Sequence, residues 1–243
     1  MGSIAENVEK IRERIAAAAA AAGRSENDIL LIAASKMNSA DRIREAYDAG
    51  ITAFGENKVQ EFLEKDILNA YEGAQKHLIG HLQRNKVRKI VGKVQLIHSV
   101  DSVELMSEIN RCAGALGINQ DILIEVNIGG ELSKSGLSPD ALPSLLSAAA
   151  GFNSITVRGL MAIPPASAEP DGNVPFFTAM NELFIDNRFK KYDNVCMDFL
   201  SMGMSGDFEA AIACGSNMVR IGSAIFGPRN YSQTEENKNG LPG

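Results

Sequence analysis

The chain has 243 residues, 45% of them hydrophobic and 22% charged, with a formal net charge of −6. That suits a soluble globular protein with a sizeable core, and the acidic balance offers no global field for nucleic acid or anionic lipid, so neither is expected as a partner. No apolar run reaches membrane-span length, and Cys112, Cys196 and Cys214, odd in number with no CxxC pair, read as reduced, mostly buried thiols of a cytoplasmic protein.

Residues 1–23 predict a helix. Ser3 is placed to cap it with Glu6 three positions on, the run Ala16 to Ala22 has the best helix propensity, and Gly23 stops it. Glutamates at positions 6, 9 and 13 argue against a signal peptide. Beyond this helix, strand-like runs cover 30–35, 51–57, 77–82, 96–101, 122–128, 156–163, 195–203 and 218–227. Helical patterns lie between them at 39–50, 57–71, 102–117 and 138–151, with Gly50, Gly117, Gly151 and Gly215 as closing residues. Strands alternating with helices specify a parallel sheet, and eight such strands close a (β/α)8 barrel. An open doubly wound sheet would want Gly-x-Gly-x-x-Gly after its first strand, where this chain has "SKMNSA". No linker or repeat divides the chain, so one barrel domain over 1–243 is expected. The Pro-rich 163–175 is then a rim loop and 228–243 a polar tail.

In such a barrel the carboxyl ends of the strands converge on one face. They supply Lys36, Asn57, His81, Asp101, Asn127, Met161, Ser201 and Gly222. The last two units carry the clearest signal. Ser201, Gly203, Ser205 and Gly206 form one small-residue turn, and Gly222 and Ser223 a second. Loops after strands seven and eight commonly hold phosphate in this fold, whereas each loop alone would read as a capped helix with packing glycines. A lysine at the end of strand one facing a phosphate cradle points to pyridoxal phosphate, held as an imine of Lys36. An apolar barrel mouth and the cation of Arg220, two residues before Gly222 and so on the same face, would lower the lysine pKa from about 10.4. A rim salt bridge is the competing role for Lys36.

Other patterns carry less. Gly50 to Gly55 has P-loop spacing but is followed by Glu56 and Asn57, not Lys and Ser or Thr. His77 and His81 are four apart on what reads as a strand, which excludes a helical zinc pair. Lys134 reads as a solvated loop charge, and the basic stretch 83–93 as the exposed face of a helix.

The chain resembles the YggS/PROSC pyridoxal phosphate homeostasis proteins, whose fold is similar to the barrel domain of alanine racemase. The likeness runs from about residue 5 to Gly227. It rests on "LIAASK", "FGENKVQE", "HLIGHLQRNK", "IHSVD", "SKSG", "RGLMAIP", "LSMGMSGDFEAAI" and "VRIGSAIFG". It implies Lys36 as the Schiff-base lysine and Asn57 beside the cofactor. It also implies Ser201, Ser205, Gly222 and Ser223 at the phosphate, with Arg220 facing the pyridine nitrogen. His81 departs from a common proline, and Ser223 replaces a frequent threonine while keeping the hydroxyl. An arginine at the ring nitrogen disfavours its protonation and weakens the electron sink. The second-face tyrosine of alanine racemase comes from a C-terminal domain that is not expected here, and Tyr231 is the only tyrosine in 228–243. A monomeric, non-catalytic cofactor carrier serving apo-enzymes is therefore expected, with a small amino-acid racemase as the alternative.

Overall fold

The computed structural model describes residues 2–228 apart from 132, 133, 168, 170 and 191. Helix α1 spans Ile4–Ala21, and Ser3 and Glu6 form the reciprocal capping box at its start. Its buried face, Ile4, Val8, Ile11, Ile15 and Ala19, follows the helical period and docks on the outside of the barrel. Asn7 Nδ2 donates to the carbonyl of Ile225 at 2.9 Å, and Arg14 Nε donates to Glu209 at 2.6 Å. These contacts tie α1 to the last two helices of the barrel.

Eight parallel strands follow: β1 Leu30–Ala34, β2 Ala53–Glu56, β3 Gln75–Leu78, β4 Leu96–Val100, β5 Gln120–Glu125, β6 Ile155–Met161, β7 Val195–Ser201 and β8 Met218–Ile221. Each pairs with the next, and β8 pairs back with β1 to close the barrel. The intervening helices are α2 Ala40–Asp48, α3 Val59–Ile67, α4 Val87–Ile90, α5 Val103–Ala115, α6 Leu142–Ala149, α7 Val174–Arg188 and α8 Phe208–Ala213, and α9 Ser223–Phe226 follows β8. Strands such as β4 and β8 are buried along their whole length because both faces are covered. Ile32, Ala53, Leu96, Leu123, Met161 and Met218 fill the barrel interior. Their neighbours Ala33, Phe54, Ile97, Ile122, Ile124 and Val219 pack outward under the helices.

Several expected boundaries move. The eighth run ends as a strand at Ile221, and residues 223–226 turn into α9. The third strand is 75–78, not 77–82, so His81 lies exposed in the loop beyond it. The fifth ends at Glu125, not Ile128, because Val126 leaves the ladder to bridge Leu137. Apolarity reports burial, and a buried loop residue gives the same signal as a paired one. The basic stretch 83–93 forms only a 3-10 turn, Arg84–Lys86, and the single turn of α4. Gly50, Gly117 and Gly215 take left-handed φ after their helices, but Gly151 does not, and Ala150 is the cap there. Of the cysteines only Cys112 is buried; Cys196 is exposed and Cys214 half-buried. The tail from 229 onward, with Tyr231, lies outside the described residues.

The capping box makes a direct test of how α1 is held. Ser3→Ala should lower stability by about 1 kcal/mol, the usual cost of a lost N-cap, read as a shift in the urea midpoint with unchanged slope.

Candidate cofactor site

The closing pair of strands creates the site. Ile32 lies beside Arg220 and Ala33 beside Ile221 in the ladder between β1 and β8. The chain leaving β1 therefore runs alongside the chain leaving β8. A cavity of about 210 Å³ opens there, lined by Lys36, Asn38, Ser205, Arg220, Gly222 and Ser223 among others. Lys36 is half-buried. Ser205 Oγ accepts from the amides of Gly222 and Ala224 at 3.3 and 3.4 Å, which fastens the turn after β7 to the turn after β8.

Two glycines are required at this corner. Gly203 has φ 95°, and a Cβ there would stand 2.6 Å from Ala211 Cβ. A Cβ on Gly222 would come within 3.2 Å of the Ala34 carbonyl, across the β1–β8 seam. The turn after β7 can pack against α8, and the turn after β8 against β1, because these positions carry no side chain.

Arg220 forms the floor of the cavity. Its Nη1 donates to Ser201 Oγ at 2.5 Å and its Nη2 to the carbonyl of Ala162 at 2.9 Å. Burial lowers the guanidinium to about 10, while Glu125 and Asp207 act in the opposite direction. It stays a cation at neutral pH. On the same side of the mouth the Glu125 carboxyl is pushed up to about 7, first by burial and then by Asp101, with Arg220 opposing. Glu125 Oε2 is buried and has no hydrogen-bond partner among the described residues.

The family model described as the alanine racemase N-terminal domain matches residues 1–230. The pyridoxal phosphate homeostasis protein of Aquifex aeolicus is 44% identical over 226 residues, covering 93% of this chain and 98% of that protein. Its counterpart of the same name in Escherichia coli is 41% identical over 237 residues, covering 96% and 100%. The chain belongs to the pyridoxal phosphate homeostasis family. Among solved structures, PipY of Synechococcus elongatus with pyridoxal phosphate bound superposes with a TM-score of 0.80 at 32% identity, covering 93% of this chain and 100% of that one. The barrel expected from the alternating strands and helices is the fold this family shares.

Not every residue read from the sequence lies in the cavity of this family member. Lys36, Ser205, Arg220, Gly222 and Ser223 line it. Ser201 is not among them: it is buried, and its hydroxyl accepts from Arg220 and lies against His98, so it supports the arginine. Asn57 follows β2 directly and is not among that lining; it is half-buried, with Oδ1 unpartnered among the described residues. Lys134 is not simply solvated, since it pairs with Glu131 and donates to the Pro164 carbonyl at 3.1 Å.

Sequence reading missed a polar chain through the barrel. Ser201 Oγ lies 3.2 Å from His98 Nδ1, His98 Nε2 lies 2.9 Å from His77 Nδ1, and His77 Nε2 lies 3.4 Å from Gln75 Oε1. Burial lowers His77 to about 4, and burial, then His77 and Arg220, hold His98 well below its ordinary value. Both rings are therefore neutral, and one direction of donation satisfies every link. Arg220 donates to Ser201, the Ser201 hydroxyl to His98, His98 to His77, and His77 to Gln75. The available signal was strand period: His98 is two residues after Leu96 on an inward face.

A pH test follows from His77. Its native value near 4 against an ordinary 6.5 means that it stays neutral where the unfolded chain takes up a proton. Its contribution is therefore full above about pH 6.5 and lost as the pH falls toward about 4, by up to about 1.4 kcal/mol per pH unit. Urea unfolding of wild type and His77→Gln should show the gap between them narrowing over that window.

Proposed function

We propose that this chain binds pyridoxal 5'-phosphate and holds it for storage or delivery, with Lys36 as the point of Schiff-base attachment and without efficient turnover. The observation that carries this reading is one cavity shared by Lys36 from the end of β1, the two serine-bearing turns after β7 and β8, and the Arg220 cation. That set fits the group. The phosphate would be held by Ser205, Ser223 and the small-residue turns, and the ring nitrogen would lie toward Arg220. When bound, the cofactor would supply an aldehyde, and Lys36 would supply the amine that condenses with it as water is lost.

The residues present favour holding over turnover. Among the described residues lining the cavity, Lys36 and Arg220 are the ones that titrate. Racemisation needs a second acid/base group on the other face of the bound substrate. Arg220 also disfavours a proton on the ring nitrogen, because two positive charges would face each other in a buried site. The names of the relatives in Aquifex aeolicus and Escherichia coli agree with a homeostatic role, and apo forms of pyridoxal phosphate enzymes are the recipients this role implies.

Three measurements test the reading. Borohydride reduction of the loaded protein followed by peptide mapping should label Lys36; a dominant label on Lys134 would overturn the assignment. The double variant Ser205→Ala with Ser223→Ala should weaken pyridoxal phosphate retention about tenfold or more while changing pyridoxal little, since each lost hydrogen bond to a charged group is worth about 1.5–3 kcal/mol. Equal loss for both ligands would remove the phosphate role. Solvent deuterium exchange at the α-carbon of alanine should be slow in wild type, and rapid exchange that vanishes in Lys36→Ala would make this an enzyme.

A further inference from the structure

The turn that carries Lys36 is held from beneath by a buried ionic cluster remote in sequence. Lys65, on α3, is 7% exposed and reaches three oxygens: Glu56 Oε1 at 2.7 Å, Glu61 Oε1 at 2.7 Å and the Ser35 carbonyl at 2.9 Å. Glu56 Oε1 also accepts from the Ser35 hydroxyl at 2.7 Å and from Tyr71 at 2.8 Å. Burial pushes the Glu56 carboxyl above its ordinary value, and Lys65 and the Ser35 hydroxyl act against that. Met37, on the other side of Lys36, has φ 63°, a left-handed conformation for a residue with a Cβ. Its side chain is 53% exposed and does not hold it there. Its amide donates to Glu61 Oε1.

Residues 35 and 37 are thus pinned on both sides of the lysine by three groups that do not line the cavity. A left-handed non-glycine residue persists only where its surroundings over-determine it. We propose that Lys65, Glu56 and Glu61 are positioning residues for Lys36. Glu61 holds the Met37 amide in the left-handed turn, Lys65 and Glu56 hold Ser35, and the lysine between them is aimed into the cavity before any ligand arrives. This rests on the reading of Lys36 as the attachment point. It adds what directs that lysine, a part played by an ion cluster on α3 and β2 and not by the cavity wall.

The same cluster explains why a charged set is buried at that place. Two carboxylates share one ammonium, and each remaining contact goes to the chain of 35–37 or to Tyr71. A buried ion pair is weak as a source of stability and serves better to fix one arrangement of the backbone. Glu61 is the member to vary, because its side chain is 21% exposed and its removal leaves Lys65 paired with Glu56.

The experiment compares Glu61→Ala with Glu61→Gln in the full chain, using pyridoxal phosphate as the probe and Lys36→Ala as the control. Glutamine keeps an acceptor oxygen for the Met37 amide, and alanine does not. Without ligand, hydrogen exchange at the Met37 amide should rise at least tenfold in Glu61→Ala and stay near wild type in Glu61→Gln. With ligand, the rate of borohydride-trapped labelling at Lys36 should fall about tenfold in Glu61→Ala and be largely restored in Glu61→Gln, with thermal midpoints of the two variants alike. Labelling of Lys36 at the wild-type rate in Glu61→Ala overturns the positioning role and leaves the attachment reading intact. Equal slowing in both variants also overturns it, because the acceptor would then not be what matters. Absence of Lys36 label in wild type overturns both readings together.

Discussion

Strand β1 begins near the start of the chain and β8 ends close to its last described residue, and their pairing is the contact on which the rest depends. Leu30 to Ala33 lie against Met218 to Ile221 in register. A parallel barrel tolerates no free edge, so this pair must form for the other seven to close. Its register also decides which loops share a corner. Slipping it by one residue would turn Arg220 out of the barrel and move Lys36 off the turns that carry Ser205 and Ser223. Stability and site geometry are therefore set by one set of backbone hydrogen bonds.

Around that seam two buried cations among the described residues, Arg220 and Lys65, are held differently. Arg220 sits in the barrel interior, where an unpaired cation would be expensive, and it donates to Ser201 and to a main-chain carbonyl. From Ser201 the hydrogen bonds continue through two neutral imidazoles toward the rim at Gln75. The order of donation leaves no ring nitrogen in that chain without a partner. The second cation lies outside the barrel wall, where Lys65 joins two glutamates beneath the β1 turn. One arrangement orients a fixed cation under the cavity and the other fixes a stretch of backbone. Large apolar clusters surround both, and the low local dielectric makes incomplete pairing costly.

The fold was legible because its signals are local. Capping at Ser3 and Glu6, apolar strand runs and amphipathic helices such as α5 depend on neighbours a few residues away. The errors fall where a local signal has two causes. Residues 223–226 look like strand because Ile225 and Phe226 are buried, yet they form a helical turn. Asn127 seemed to end the fifth strand, but Val126 had already left it to meet Leu137.

The sequence by itself determined the eight-unit alternation, the lysine after the first strand and the small-residue turns after the last two. Their residue types act through short-range geometry, and spacing along the chain records it. What only the tertiary structure decided was which polar groups meet. Ser201 looked like a ligand-facing hydroxyl and proved to lie between His98 and Arg220, residues from β4 and β8. Lys65, one lysine within the helical pattern 57–71, lies buried against β2 and the β1 turn. Both outcomes depend on strand register and on which side of the wall a side chain falls, and these are fixed only when the barrel closes.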